Sequence, residues 1–204
     1  MKIAKTQINL EYNAYEIYIS GCNQTCEGCH NSSLKNFDTG VPWKECIERI
    51  VYDITDMGWN YDYVWLLGGE PMDNDIKELF LFVSFLHRQK KDHDFDIVLF
   101  TSHDMTVFDK GLPENTLRRR LRQKLDYVKI GKYDNTQLSD SYREPILNIK
   151  LASTNQKVVS LKNTSITDMY TPEGSLIQPH TQRNTFEIRK PDDNTVIIIF
   201  EQND

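Results

Sequence analysis

Three of the four cysteines in this 204-residue chain lie within eight consecutive residues, from Cys22 to Cys29. They occur in the order Cys-Asn-Gln-Thr-Cys-Glu-Gly-Cys, directly after a short apolar run. This spacing constrains the fold because three thiols on one short loop can point at a single centre. Thiolates in such an arrangement suit a soft metal, which here means either zinc or an iron-sulfur cluster.

The spacing alone leaves both metals open. A structural zinc site needs four protein ligands, and the further candidates are His30, next to the loop, and the distant Cys46. A cubane cluster held by three cysteines instead keeps one iron open for a ligand that is not protein. Cys46 recurs with apolar residues at helical spacing, so we expect it to pack in the core, where free cysteine is common.

Two motifs carry a resemblance to a known family. The string Ser-Gly-Cys-Asn-Gln-Thr-Cys-Glu-Gly-Cys-His-Asn, at residues 20–31, resembles the activating proteins of anaerobic (class III) ribonucleotide reductases, which are radical S-adenosylmethionine (SAM) enzymes. The segment Leu-Leu-Gly-Gly-Glu-Pro, at residues 66–71, is similar to the Gly-Gly-Glu/Asp-Pro segment of the same enzymes. Two motifs in the right order favour a radical SAM cluster over zinc. A Gly-Pro-Gly-Arg-like stretch, usual ahead of the cysteines, is missing.

The resemblance implies a role for each motif residue. Cys22, Cys26 and Cys29 would bind three irons of a 4Fe-4S cluster, and SAM would chelate the fourth. Glu70 would accept a hydrogen bond from the SAM ammonium, a charge-assisted contact. The other residues predicted to contact SAM are Gly28, His30, Gly68, Gly69, Thr101, Ser102 and Lys132. Asn155 and Gln156 match a Ser-Ser-Asn-Gln ending of the family, and their simplest role is to fix a turn.

Apolar periodicity predicts strands that alternate with helices. Two short strands fill residues 2–20, and helices are expected from Pro42, from Asp73 or Asn74, and from Pro113 to Leu125. Further strands are predicted at residues 63–67, 95–100, 127–130 and 146–151. This alternation is typical of an α/β fold with parallel strands and right-handed crossovers.

The motifs each follow a predicted strand. Functional residues gather at the carboxyl ends of parallel strands, so we expect the motifs to form one site. Residues 1–161 are too few for a closed eight-stranded barrel, which takes about 250 residues. We therefore predict an incomplete (β/α)5-6 radical SAM barrel in residues 1–161. Residues 162–204, rich in Thr, Asn, Gln and Pro, are predicted to form a C-terminal antiparallel β ribbon, either for partner docking or to cover a sheet edge.

The composition and charge of the chain argue against some classes of function. With 39% hydrophobic and 26% charged residues, the chain is typical of a globular protein. The net charge of −6 argues against a nucleic-acid partner. We expect no membrane span, since no apolar run approaches the ~20 residues required, and a cytoplasmic location. Residues 118–124 are rich in arginine, which indicates either a solvated helix face or a dock for an acidic electron donor such as flavodoxin or ferredoxin.

The resemblance implies an activase that cleaves SAM reductively and generates a glycyl radical on anaerobic ribonucleotide reductase. One alternative is an activase of another glycyl radical enzyme, or a small radical SAM enzyme that acts on a peptide or nucleobase. Another, outside enzymes, is an interaction module that binds zinc or a cluster without catalysis.

Overall fold

The computed structural model of the chain describes residues 1–55, 60–108, 114–138, 141–162, 178–179, 185–189 and 195–199. Contacts divide the chain into two compact units, Met1–Leu161 and Lys162–Asp204. The described strands of the first unit are β1 (Lys2–Asn9), β2 (Ala14–Ile19), β3 (Val41–Pro42), β4 (Tyr63–Gly68), β5 (Asp96–Phe100), β6 (Tyr127–Ile130) and β7 (Lys157–Ser160). Its described α-helices are α1 (Ile47–Thr55), α2 (Ile76–Gln89) and α3 (Glu114–Arg122).

The seven strands form one sheet in the order β3-β1-β2-β4-β5-β6-β7. The four central strands, β2, β4, β5 and β6, are parallel to one another. The antiparallel strands β1 and β3 extend the sheet on one side, and the antiparallel β7 extends it on the other. The predicted α/β class with parallel central strands is confirmed.

Both faces of the central sheet are buried, as parallel strands require. Alternate residues such as Ile17, Leu66 and Leu99 belong to the main core, which includes apolar residues of all three helices. Their neighbours Trp65 and Val98 face the other side and belong to a second, smaller core. The central strands therefore form a rigid platform from which the loops at their carboxyl ends project.

The strand predicted at residues 146–151 is wrong. The Glu144 carboxylate accepts hydrogen bonds from the backbone of the next turn, and Asn148 has a φ of +54°, which no extended strand allows. Ile149 and Leu151 alternate because they pack on the second face of the sheet without pairing as a strand. The strand that pairs with β6 at this edge of the sheet is instead β7, whose four residues directly follow Gln156.

Two helices begin at residues other than those predicted. Pro42 ends β3, and a 3-10 turn at Trp43–Cys46 precedes α1. The N-cap of α2 is Asp75, whose carboxylate accepts a 2.9 Å hydrogen bond from the backbone N–H of Glu78. Pro113, predicted to begin the third helix, lies outside the described residues.

The second unit contains three described strands, β8 (Gln178–Pro179), β9 (Thr185–Arg189) and β10 (Thr195–Ile199). They pair antiparallel in the order β10-β9-β8. The turn predicted at residues 191–194 lies outside the described residues. The role of this unit stays a prediction.

Candidate functional site

The loops that follow β2, β4, β5 and β6 line one cleft of about 260 Å³. The residues singled out from the sequence that line it are Cys22, Cys26, Cys29, His30, Gly68, Gly69, Glu70, Thr101, Ser102 and Gln156. Lys132 and Asn155 instead line an adjacent cavity, which Cys26 also borders. Gly28 lies between two lining cysteines but does not itself line the cleft. The structure thus brings the two motifs together and leaves Lys132 beside them.

The cysteine loop is held at its start by backbone hydrogen bonds. The N–H of Gly21 donates to the carbonyl of Leu34 at 2.8 Å, and that of Cys22 donates to Lys35 at 3.1 Å. All four cysteines are partly exposed and free of disulfides. No three Cys, His, Asp or Glu side chains within the described ranges converge on the position of a single metal ion. In a cubane each thiolate binds a different iron, so its ligands surround the cluster without converging on one ion.

The Gly-Gly-Glu-Pro loop is joined to the cysteine loop through the backbone. Gly69 N–H donates to Ile19 O at 2.8 Å, and Glu70 N–H donates to Gly21 O at 2.7 Å. A Cβ at Gly68 would lie 2.6 Å from Ile19 O, and one at Gly69 would collide with Gly21 O. Gly68 also has a φ of +119°. Both glycines are therefore required by the contact between the two motifs, a reason that the sequence did not reveal.

Glu70 is a buried carboxylate, with 1% of its surface exposed. One oxygen accepts hydrogen bonds from Thr101 Oγ1 at 2.6 Å and from Met72 N at 3.1 Å. The other accepts one from Ser102 N at 2.6 Å. Three donors satisfy the charge and link the loop after β4 to the loop after β5. Glu70, Thr101 and Ser102 therefore act as one unit, where the sequence predicted three separate ligand contacts.

Ser102 also contributes a side chain that the network does not use. Among the described residues, its Oγ is buried without a hydrogen-bond partner, and the residue lines the cleft. A buried hydroxyl without a partner is costly, so this position is suited to a polar ligand.

Asp73 makes a third connection between the loops. One of its oxygens accepts a 2.7 Å hydrogen bond from the backbone N–H of Asn23, next to the first cysteine, and the other lies 3.1 Å from His103 Nε2. Burial raises the pKa of the Cys22 thiol; the Gln24 N–H lowers it, and the negative charge of Asp73 raises it again. The sequence predicts Asp73 only as a candidate helix cap.

Lys129 is a residue of the cleft that sequence reasoning missed. It lies on β6, its side chain borders the cleft, and its Nζ donates to Gly131 O at 3.2 Å. Burial lowers the pKa of Lys129 to about 8, while the charges of Glu70 and Cys26 oppose the shift. The signal in the sequence was a lysine inside an otherwise apolar central strand. It places a positive charge where a ligand anion would meet it.

Asn155 and Gln156 hold the turn that follows β6. Asn155 Nδ2 donates to Lys132 O at 2.9 Å, and Gln156 Nε2 donates to Gly131 O at 3.1 Å. Both side chains therefore stabilise this turn.

His30 packs its ring against Tyr133, with the ring centres 5.1 Å apart.

A family model described as a 4Fe-4S single cluster domain matches residues 14–159, which is most of the chain. The chain belongs to this 4Fe-4S single cluster family. The match spans the cysteine loop, every lining residue of the cleft and β2 through β6. It confirms the prediction of an iron-sulfur cluster domain.

Relatives agree with the family assignment. An anaerobic ribonucleoside-triphosphate reductase-activating protein of Pasteurella multocida is 26% identical over 136 residues, which cover 66% of this chain and 82% of that protein. One of Haemophilus influenzae with the same name is 27% identical over 136 residues, 66% of this chain and 83% of that protein. No solved structure matches the chain. The predicted resemblance is confirmed.

The residues present fit the cluster that the 4Fe-4S single cluster family implies. Three thiols on one loop border the cleft, and among the described residues no other segment supplies a cysteine to it. Sulfur donors are those that iron-sulfur clusters take. Cys46 lies apart, packed against the main core with its Sγ 3.8 Å from Pro42 O.

The arginine-rich segment lies on α3 and the residues after it. Arg118 donates to Val107 O at 3.3 Å, and the Arg120 guanidinium lies 4.9 Å from the centre of the Phe80 ring. Arg119 is exposed. Two of these arginines therefore help to attach α3 to its neighbours.

None of the described helices has the length and apolar composition of a bilayer-spanning segment.

The buried Lys129 predicts a dependence of stability on pH. Its pKa of about 8 in the folded chain lies below the ordinary lysine value, so at higher pH the folded chain loses a proton that the unfolded chain keeps. Between pH 8 and about pH 9.5, the free energy of unfolding of the wild type should therefore rise by about 1–2 kcal/mol more than that of Lys129→Met.

Urea denaturation of the two proteins at several pH values measures this difference. Lys157→Met, which removes an exposed lysine of β7, controls for the loss of a surface charge. Parallel pH profiles of the wild type and Lys129→Met would contradict the assignment.

Proposed function

We propose that this protein is a radical SAM activase that generates a glycyl radical on an anaerobic ribonucleotide reductase. The observation that carries the proposal is a cleft in which a three-cysteine loop is joined, backbone to backbone, to a Gly-Gly-Glu-Pro loop. The relatives named as reductase-activating proteins support the choice of target. In this proposal residues 1–161 form an incomplete radical SAM barrel, and residues 162–204 are a separate extension.

Cys22, Cys26 and Cys29 would hold the 4Fe-4S cluster and leave one iron for SAM. Bound there, the cluster and SAM would supply a one-electron reductive cleavage of the sulfonium and, through it, the removal of a hydrogen atom from a glycine Cα of the reductase. The protein contributes position and shielding, since the cofactors carry the difficult chemistry.

The residues of the cleft would orient SAM by charge and hydrogen bonding. Glu70 presents a buried carboxylate with acceptor capacity left for an ammonium, and Ser102 presents a hydroxyl that has no hydrogen-bond partner among the described residues. Lys129 presents an ammonium, suited to a carboxylate. Lys132, which the resemblance predicts to contact SAM, borders the adjacent cavity, so we propose that Lys129 pairs with the carboxylate. The backbone of Gly28 and the ring of His30 would flank the ligand.

A protein substrate suits the proposed barrel because it is incomplete and open at one side. A loop of the reductase would enter the cleft from the carboxyl ends of the strands. We expect the protein to act in the reducing cytoplasm, where free thiols and clusters persist. Flavodoxin or ferredoxin would supply the electron.

Substitution of the cysteines tests the function directly. Cys22→Ala, Cys26→Ala or Cys29→Ala should each lower bound iron and abolish 5'-deoxyadenosine formation after anaerobic reconstitution, because each removes a ligand. Cys46→Ala, the matched control, should retain both. With a candidate reductase, SAM and dithionite, the wild type should give a glycyl doublet by electron paramagnetic resonance.

The outcomes separate the alternatives. A protein that binds zinc and no iron would leave the non-catalytic interaction module as the explanation. Formation of 5'-deoxyadenosine without a glycyl signal on the reductase would point to another glycyl radical enzyme, or to a peptide or nucleobase substrate.

The assignment of Lys129 is tested by SAM binding. Lys129→Met should weaken SAM by about 10- to 100-fold, since a hydrogen bond between charged groups contributes about 1.5–3 kcal/mol. An analogue of SAM without the carboxylate should bind both proteins equally. Anaerobic calorimetry with the cluster-loaded proteins gives both affinities. If Lys132→Met shows the loss instead, Lys132 pairs with the carboxylate and the assignment of Lys129 is wrong.

The arginines of α3 give a test of the electron donor. Arg119→Glu should slow reduction by flavodoxin several-fold and leave reduction by dithionite unchanged, because only the protein donor needs a charged docking surface. Arg118 and Arg120 are left intact because of their contacts with Val107 and Phe80. Lys157→Glu, on β7, is the charge-matched control. Equal rates for Arg119→Glu and the control would reject this docking surface.

A further inference from the structure

Asp73 is a largely buried acid that the proposed function has not used. Its side chain is 10% exposed. It receives the backbone N–H of Asn23 at 2.7 Å and lies 3.1 Å from His103 Nε2. It therefore fixes the residue next to the first cysteine to two other loops of the site, its own after β4 and that of His103 after β5.

Two backbone N–H groups beside Cys22 donate to different acceptors. The N–H of Gln24 donates to the Cys22 sulfur at 3.4 Å, whereas the N–H of Asn23 donates to the Asp73 carboxylate. Hydrogen bonds to cluster sulfurs change the reduction potential, because donors stabilise the additional electron of the reduced state. Asp73 thus takes one donor of the loop away from the sulfurs.

The charge of Asp73 acts in the same direction. A carboxylate near a cluster opposes the addition of an electron, and a side chain with little exposure is weakly screened by solvent. The side chain of His103 faces one oxygen of Asp73, and the backbone of Asn23 faces the other. Both effects favour the oxidised cluster.

From this geometry we propose that Asp73 is a positioning residue that keeps the reduction potential of the cluster on the cysteine loop low. The inference deepens the proposed function and rests on it, since it requires a cluster at Cys22, Cys26 and Cys29. A low potential makes the reduced cluster a stronger reductant, as cleavage of a sulfonium demands.

Redox titration of the reconstituted protein, followed by absorbance and electron paramagnetic resonance, tests the proposal. Asp73→Asn removes the charge and keeps an acceptor for Asn23, whereas Asp73→Ala removes both. At a fixed potential, the ratio of reduced to oxidised cluster should rise about tenfold in Asp73→Asn, or about 59 mV for a one-electron couple. The rise should be larger in Asp73→Ala, because the N–H of Asn23 is then released.

Two further variants serve as controls. Asp75→Asn makes the same charge change two residues away, where asparagine caps α2 as well as aspartate does, and its midpoint should match that of the wild type. Asp73→Glu keeps the charge and should stay close to the wild type. Iron content is measured for each protein, and Asp73→Glu provides the comparison if Asp73→Asn binds iron poorly.

The two proposals fail in different ways. A wild type without iron would contradict the proposed function. An iron-loaded Asp73→Asn whose midpoint equals that of Asp75→Asn would contradict only the role of Asp73, as would an Asp73→Glu midpoint raised as far as that of Asp73→Asn.

Discussion

The site depends on two backbone hydrogen bonds between loops that are far apart in sequence. Gly69 and Glu70 donate to Ile19 and Gly21, at the point where β2 leads into the cysteine loop. The contact is close enough that a Cβ on either Gly68 or Gly69 would meet backbone atoms. Backbone cannot move aside as a flexible side chain can, so the two hydrogen bonds and the close backbone packing fix the position of the cysteine loop relative to Glu70. The parallel pairing of β2 with β4 extends this register into the sheet.

Two buried carboxylates hold the loops of the site together. Glu70 joins the loop after β4 to Thr101 and Ser102 after β5, and Asp73 joins the same loop to Asn23 and His103. Each acid is satisfied by donors from at least one other loop, which makes a partly formed arrangement costly. Three loops are thereby held in one arrangement before any ligand arrives, which is the preorganisation that a site for charged groups needs.

Much of the architecture could be predicted because local patterns and global structure agree. The strand at Tyr127–Ile130 was predicted at its observed bounds, since four alternating residues between turns have few other solutions. The strand expected at residues 146–151 failed because alternation reports burial and cannot distinguish a paired strand from a loop packed on a sheet. Asn148, with its positive φ, is the residue that breaks the strand, and nothing in its identity alone required that conformation.

The candidate site could also be predicted only in part. Motif spacing was enough to select the cysteines and Glu70 as neighbours, because parallel strands present their carboxyl ends at one edge. Lys129 and Asp73 could not be found in this way, since their importance comes from contacts with residues distant in sequence. Lys132 was predicted from the resemblance to contact SAM; it borders the adjacent cavity, and its backbone carbonyl accepts a hydrogen bond from Asn155 Nδ2.

The segment that replaces the expected strand has a steric consequence. Ile149 and Leu151 pack on the second face of the sheet, and Leu151 and Ala152 also border the cleft. The segment therefore supplies aliphatic surface to one part of the wall of the cleft. A ligand in this cleft would therefore meet apolar surface as well as the charged side chains of Glu70 and Lys129.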